Sequence, residues 1–382
     1  MSDNVTTYDF SNKQQRKRIL LLVIAAAVVV LALVLILFAE TLNLDAIGRG
    51  IKYIGAKEED LVFSFDAHGT NRFARCGDGL AVASASGLKT MNSRGQTALT
   101  VDQSLSAPAV QTGGGVTAIW DIGGSTLTAA RKKVTLQFRS DGAILDADVS
   151  SGGAVCVASS ESGYKTVLRA YDANGKETYR WFSSSRFFPI CAVSPSGKQM
   201  AAISLWQSGG VFESTINWFK TTREDVQKSV SLGDRLVYDL YFMNENRAWV
   251  VCEDALYCAE PDGSLTQVAD LSGQYLSDYD LGGDGCAVLA LNLFQAGNRY
   301  MLRTVKPDGT VLGERDIEGE ILDISACGKY VAVLTAERLL ILHRNLSDYA
   351  AAENADGASK VLMRADGSAI LISDRSAATI LP

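Results

Sequence analysis

Two kinds of hydrophobic pattern alternate along this chain. In one, small and aliphatic residues fill every position. In the other, apolar and polar residues take turns, as in Leu302–Lys306, the signature of a half-buried strand. The continuous runs are Leu80–Ser84, Val116–Trp120, Ala154–Ala158, Met200–Ser204, Ala248–Cys252, Ala287–Leu291, Val331–Thr335 and Ala369–Ser373. Their starts lie 36, 38, 46, 48, 39, 44 and 38 residues apart. Glycine turns precede them, among them Gly77–Gly79, Gly113–Gly115 and Pro195–Gly197. A second set follows, at Arg94-Gly95, Asn174-Gly175, Asp262-Gly263 and Asp308-Gly309. Such turns need a residue with positive φ, which Gly, Asn and Asp supply. A period near 40 with several strands per unit predicts an all-β fold, an eight-bladed β-propeller over residues 59–382. Seven blades is the alternative if the glycine-rich second unit is degenerate. The last unit holds only three strands, while Leu61–Phe65 has no unit of its own. Placing Leu61–Phe65 as the outer strand of the last blade completes the eighth blade and closes the ring.

Ahead of the repeats, Ile19 to Ala39 runs for 21 residues without a polar side chain, and sixteen of them are Leu, Ile, Val or Phe. At about 1.5 Å per residue this spans roughly 31 Å, the thickness of a hydrocarbon core. A cleaved signal peptide is the competing reading, but its apolar region is shorter and ends at small residues, whereas here bulky Leu37 occupies the −3 position. Lys13, Arg16, Lys17 and Arg18 precede the run, so residues 1–18 are expected inside the cell and the propeller outside it, in a single-pass cell-membrane protein. Between them, in residues 40–58, Leu44, Ile47, Ile51 and Ile54 share one helical face, with Asn43 placed to cap it. That face suits either a membrane interface or the underside of the propeller.

Charge narrows the partners. There are 36 Lys and Arg against 43 Asp and Glu, a net charge of −7, and the basic tail makes the outer part more acidic still. This argues against nucleic acid as a partner. Seven cysteines are an odd and scattered set rather than a disulfide framework; Cys252 and Cys258 are the one pair a hairpin would bring across from each other.

Chemistry is sparse. His68 and His343 have no companion at ligand spacing, so no metal site is expected. Asp278-Tyr-Asp280 followed by Asp284-Gly285 only partly matches a calcium loop, because Gly282 stands where the third ligand belongs. Asp146, Asp148, Asp239, Asp280 and Asp323 fall on first strands near the channel mouth, where paired acids support glycoside chemistry in some folds. No cofactor is called for.

The stretch Ala170–Trp181, with its Asp-Ala-Asn-Gly-Lys turn and following tryptophan, resembles the repeat of pyrroloquinoline-quinone-type propellers. Ser194–Lys198 looks like the turn of TolB-type and WD40-like blades. The order of basic tail, anchor, short amphipathic segment and degenerate eight-bladed propeller resembles a bacterial membrane-anchored family of unknown function. These resemblances imply propeller geometry and bring no activity with them. The tryptophan motif occurs once; Pro307–Gly313 lacks it.

Connections between second and third strands lengthen in the third, fourth and sixth blades, at Ser159–Lys165, Gln207–Glu213 and Asn292–Arg299. They are expected to gather Tyr164, Arg186, Trp206, Phe212, Phe294 and Arg299 on one face, a composition typical of binding hot spots. Phe187 and Trp206 also suit the interblade core. The chain therefore reads as a non-catalytic protein- or peptide-binding or scaffolding module at the cell envelope. The alternative is a divergent quinoprotein-like or glycan-active propeller enzyme.

Overall fold

The computed structural model describes residues 18–26, 29, 44–57, 61–294, 299–353, 355 and 357–382. It divides into two compact units, residues 1–55 and 56–382.

The larger unit consists of eight four-stranded antiparallel sheets. Seven follow chain order: residues 72–102, 108–139, 144–183, 187–233, 237–270, 275–318 and 321–352 form the first to seventh blades. The eighth combines the two ends of the unit. Strands β30 (Ala358–Met363), β31 (Ala369–Ser373) and β32 (Ser376–Ile380) are completed by β1 (Val62–Ser64), which pairs with β32 in the register Val62↔Ala378, Phe63↔Ala377, Ser64↔Ser376. The ring is closed as the strand count predicts, with eight blades rather than seven.

Stacking explains the continuous apolar runs. In β3 (Gly79–Ser84), Leu80 and Val82 pack with Phe63, Ile370 and Ile372 of the eighth blade. Ala81 and Ala83 point the other way, into a cluster with Ile119 and Ala130 of the second blade. Successive side chains of a strand face opposite sides of its sheet. A second strand sandwiched between two neighbouring blades must therefore be apolar at every position, and small wherever the blades approach closely.

Outer turns show why glycine is needed. Gly175, at φ 82°, joins β12 (Tyr164–Tyr171) to β13 (Glu177–Ser183), and a Cβ there would sit 2.1 Å from the Thr135 carbonyl oxygen in the second blade. Gly95 meets the Val62 carbonyl in the same way, so the first blade's turn rests on the closing strand. In the seventh blade the turn contains no glycine. Leu346 adopts φ 63° there and buries its side chain between blades.

The smaller unit contains the helix Leu44–Lys52 and helical residues at 18–26. Most of Ile19–Ala39 and the expected cap Asn43 lie outside the described residues. Among the described residues no helix is long and apolar enough to cross a membrane. Ile47, Ile51 and Ile54 are exposed, while Arg49 and Tyr53 are buried.

Candidate binding face

The seam between the third and fourth blades carries the richest exposed chemistry. Here the expected long loops prove to be strand. β15 (Gln199–Ser208) and β16 (Val211–Lys220) are ten residues each and stay in register to Ser208↔Val211, turning through Gly209 and Gly210 at φ 60° and 89°. In the third blade, β11 (Val155–Glu161) and β12 likewise extend toward each other and turn at Gly163. Alternation continues past the body of the blade, so both faces of the projecting hairpins meet solvent.

Between these hairpins lies a groove of about 610 Å³, lined by Leu145, Lys165, Ser185, Phe187, Pro189, Leu205, Trp206, Gln207 and Phe212. Phe212 is 63% exposed. The Arg186 guanidinium lies 5.3 Å over the Trp206 ring, and Lys165 Nζ lies 5.2 Å over Phe187. The Tyr164 and Phe182 rings meet at a tilt, with centroids 4.8 Å apart. The linker is pinned: the Ser183 hydroxyl donates to the Arg186 carbonyl and accepts its N–H, and the Phe188 N–H donates to Thr166 Oγ1.

Four of the six residues expected at the site, Tyr164, Arg186, Trp206 and Phe212, therefore come from this seam. Phe187 and Trp206 are not interblade core. Both are exposed, and the buried position belongs to Phe188, which packs on Trp181 at 5.3 Å. Phe294 and Arg299 are placed apart, in the sixth blade; Phe294 is exposed and Arg299 pairs with Asp316 at 3.2 Å. Residues 295–298 between them lie outside the described residues. The cationic and aliphatic lining, Lys165, Leu145 and Leu205, was not singled out from sequence, because only the register of the projecting strands shows that it faces the groove.

The carboxylates of the first strands have a structural use. In β10 (Ile144–Val149), Asp146 Oδ2 accepts the Cys191 N–H at 2.9 Å and Asp148 Oδ2 accepts that of Val193 at 3.2 Å. In β22 (Tyr275–Gly283), Asp278 accepts from Ile324 at 3.1 Å and Asp280 from the Ala326 backbone. Asp323 accepts from Val361 at 2.7 Å and also pairs with Lys360. Each carboxylate holds the first strand of the next blade. Burial pushes Asp146 up to about 8, Asp148 up to about 7 and Asp280 up to about 6, and raises Asp239, Asp278 and Asp323 as well. The backbone N–H bonds oppose the rise by favouring the charged form.

At the opposite end of the ring a cavity of about 250 Å³ is bordered by Arg75, Gln111, Thr112, Asp148, Tyr241 and the turn glycines. Among the described residues no group of three His, Cys, Asp or Glu is arranged to hold a metal ion. All seven cysteines are free thiols; Cys258 stands across from Trp249, not Cys252.

Eight four-stranded blades, closed by the first strand of the domain, define an eight-bladed β-propeller. Residues 55–380 match the family of unknown function DUF5711, and the chain belongs to that family. A comparison with the WD40 repeats of RRP9 gives 8% identity and TM-score 0.47 over 84% of this chain and 97% of that one. In fold the chain is similar to a eukaryotic initiation factor, at 9% identity and TM-score 0.53 over 81% of this chain and 83% of that one. At that identity the likeness concerns the fold alone. No curated protein matches the chain.

Proposed function

We propose that this propeller is a non-catalytic binding module, anchored through Ile19–Ala39 with its blades outside the cell, and that it takes up an envelope protein or peptide at the seam of the third and fourth blades. The observation that carries the reading is the exposed aromatic groove. Phe187, on the first strand of the fourth blade, and Trp206 and Phe212, on its projecting hairpin, line about 610 Å³, with Lys165 and Arg186 already placed over two of the rings. Aromatic rings held in place lose little freedom on binding, which is why they dominate interface energetics. The buried first-strand carboxylates support binding over catalysis, since they are committed to the backbone of the next blade.

Affinity capture from envelope extracts, with wild-type and Phe212→Ala protein side by side, tests this. The variant is expected to lose the specific partner, with a cost of roughly 1 kcal/mol or more once affinity is measured, and an unchanged melting temperature. Phe294→Ala, in the sixth blade, separates a local site from one spread around the ring. Equal capture by wild type and Phe212→Ala would refute the site.

A further inference from the structure

Four residues, Glu40 to Asn43, separate the apolar run ending at Ala39 from the helix Leu44–Lys52. An extended chain covers at most about 3.6 Å per residue, so the helix begins within roughly 18 Å of the end of that run. The helix is inverted relative to one that serves a protein core. Ile47, Ile51 and Ile54, spaced to share one side, are 53%, 67% and 72% exposed, while Arg49 and Tyr53 are each 8% exposed. A surface helix of a globular protein turns its apolar stripe inward. Here the apolar stripe faces out, a few residues from a segment long enough to span a bilayer.

We infer that the helix Leu44–Lys52 lies in the head-group layer of the bilayer that Ile19–Ala39 spans, with Ile47, Ile51 and Ile54 in the acyl boundary. The inference rests on the anchor reading above. Membrane-surface helices combine an apolar side with basic residues near the head groups, and Lys52 stands in the last turn beside the aromatic ring of Tyr53. A second copy of the chain is a poorer occupant. Two isoleucines on a nine-residue helix, with Ile54 just past its end, fall far short of the roughly 800 Å² per partner that a stable interface buries.

The test uses the full chain, reconstituted in nanodiscs of phosphatidylcholine and phosphatidylglycerol. In a Cys76→Ser background, which removes the one native thiol that is not buried, an Ile51→Cys variant is labelled with bimane, and an Asp262→Cys variant in the fifth-blade turn serves as control. An apolar side buried about 5–10 Å into the acyl boundary brings the label near lipid chains, so brominated acyl chains should cut its emission about twofold. The label at position 262 should keep its emission. Unquenched bimane at position 51 in discs that hold the chain overturns the inference and leaves the anchor standing. Failure of the chain to enter discs overturns both. Efficient crosslinking between two copies through position 51, without quenching, assigns the face to self-association instead and also overturns it.

Discussion

Substitution of Asp146 separates its two roles, as acceptor and as buried charge. Its Oδ2 accepts the Cys191 N–H at 2.9 Å, and burial, with a smaller contribution from Asp148, pushes the carboxyl from 3.8 up to about 8. Because the folded value lies above the unfolded one, the folded state holds more protons between them. Stability is fully present below about pH 4 and declines as pH rises toward 8. A rise of about four units at 1.36 kcal/mol each caps the loss at about 6 kcal/mol. Protonation shared with Asp148 and relaxation around the charge reduce the loss below that cap. Asp146→Asn keeps an acceptor for Cys191 and removes the charge. Urea unfolding at pH 5 and pH 8.5 is the assay. Wild type should lose stability across this interval. The Asn variant should lose less, by at least about 1 kcal/mol, while Asp148 and Asp239 retain part of the slope. Asp146→Ala, which orphans the buried N–H, should cost about 1–3 kcal/mol at pH 5 and less at pH 8.5, where wild type already carries the cost of the ionised carboxylate. An Asn variant with the full wild-type slope would refute the reasoning, because Asp146 would then not be the titrating group.

Two further outcomes probe the ring itself. Phe63 is fully buried in the closing strand, whereas neighbouring Val62 is 41% exposed, so Phe63→Ala should lower unfolding free energy by about 3–5 kcal/mol and Val62→Ala by less than about 1 in chemical denaturation. Gly175→Ala combines strained backbone with a clash against the second blade, and should lower stability by about 1–3 kcal/mol and the melting temperature accordingly.

Repeat number and closure were legible because they depend on one-dimensional signals. The continuous runs such as Leu80–Ser84 must be apolar on both sides, and Gly175 or Gly95 must occupy turns that touch the neighbouring blade. What a residue reaches across a seam was not legible. Asp146 and Asp148 stood out as acids near the channel, but their partners lie one repeat downstream at Cys191 and Val193, and nothing local in sequence marks a backbone N–H as the acceptor's target. The binding face shows the same limit. Trp206 and Phe212 were visible as aromatics near a glycine pair, yet whether a ring packs inside or projects depends on how far the hairpin outruns its sheet. For the same reason Phe187 and Phe188, adjacent and chemically identical, have opposite fates.

The closing strand also has a consequence for biosynthesis. Val62 and Ala378 are ladder neighbours, yet seven whole blades lie between them along the chain. At about 5–20 residues per second the first strand waits tens of seconds for its partner. Throughout that wait Leu80, Val82 and Met91 of the first blade lack the apolar cover that Phe63, Ile370 and Ile372 later supply. A nascent chain with such a face exposed is prone to association and depends on protection until the last strands of the domain emerge. Loss of the strand Ser376–Ile380 would leave Val62–Ser64 without its ladder partner, so removal of one short strand would be expected to act on the whole ring rather than on one blade.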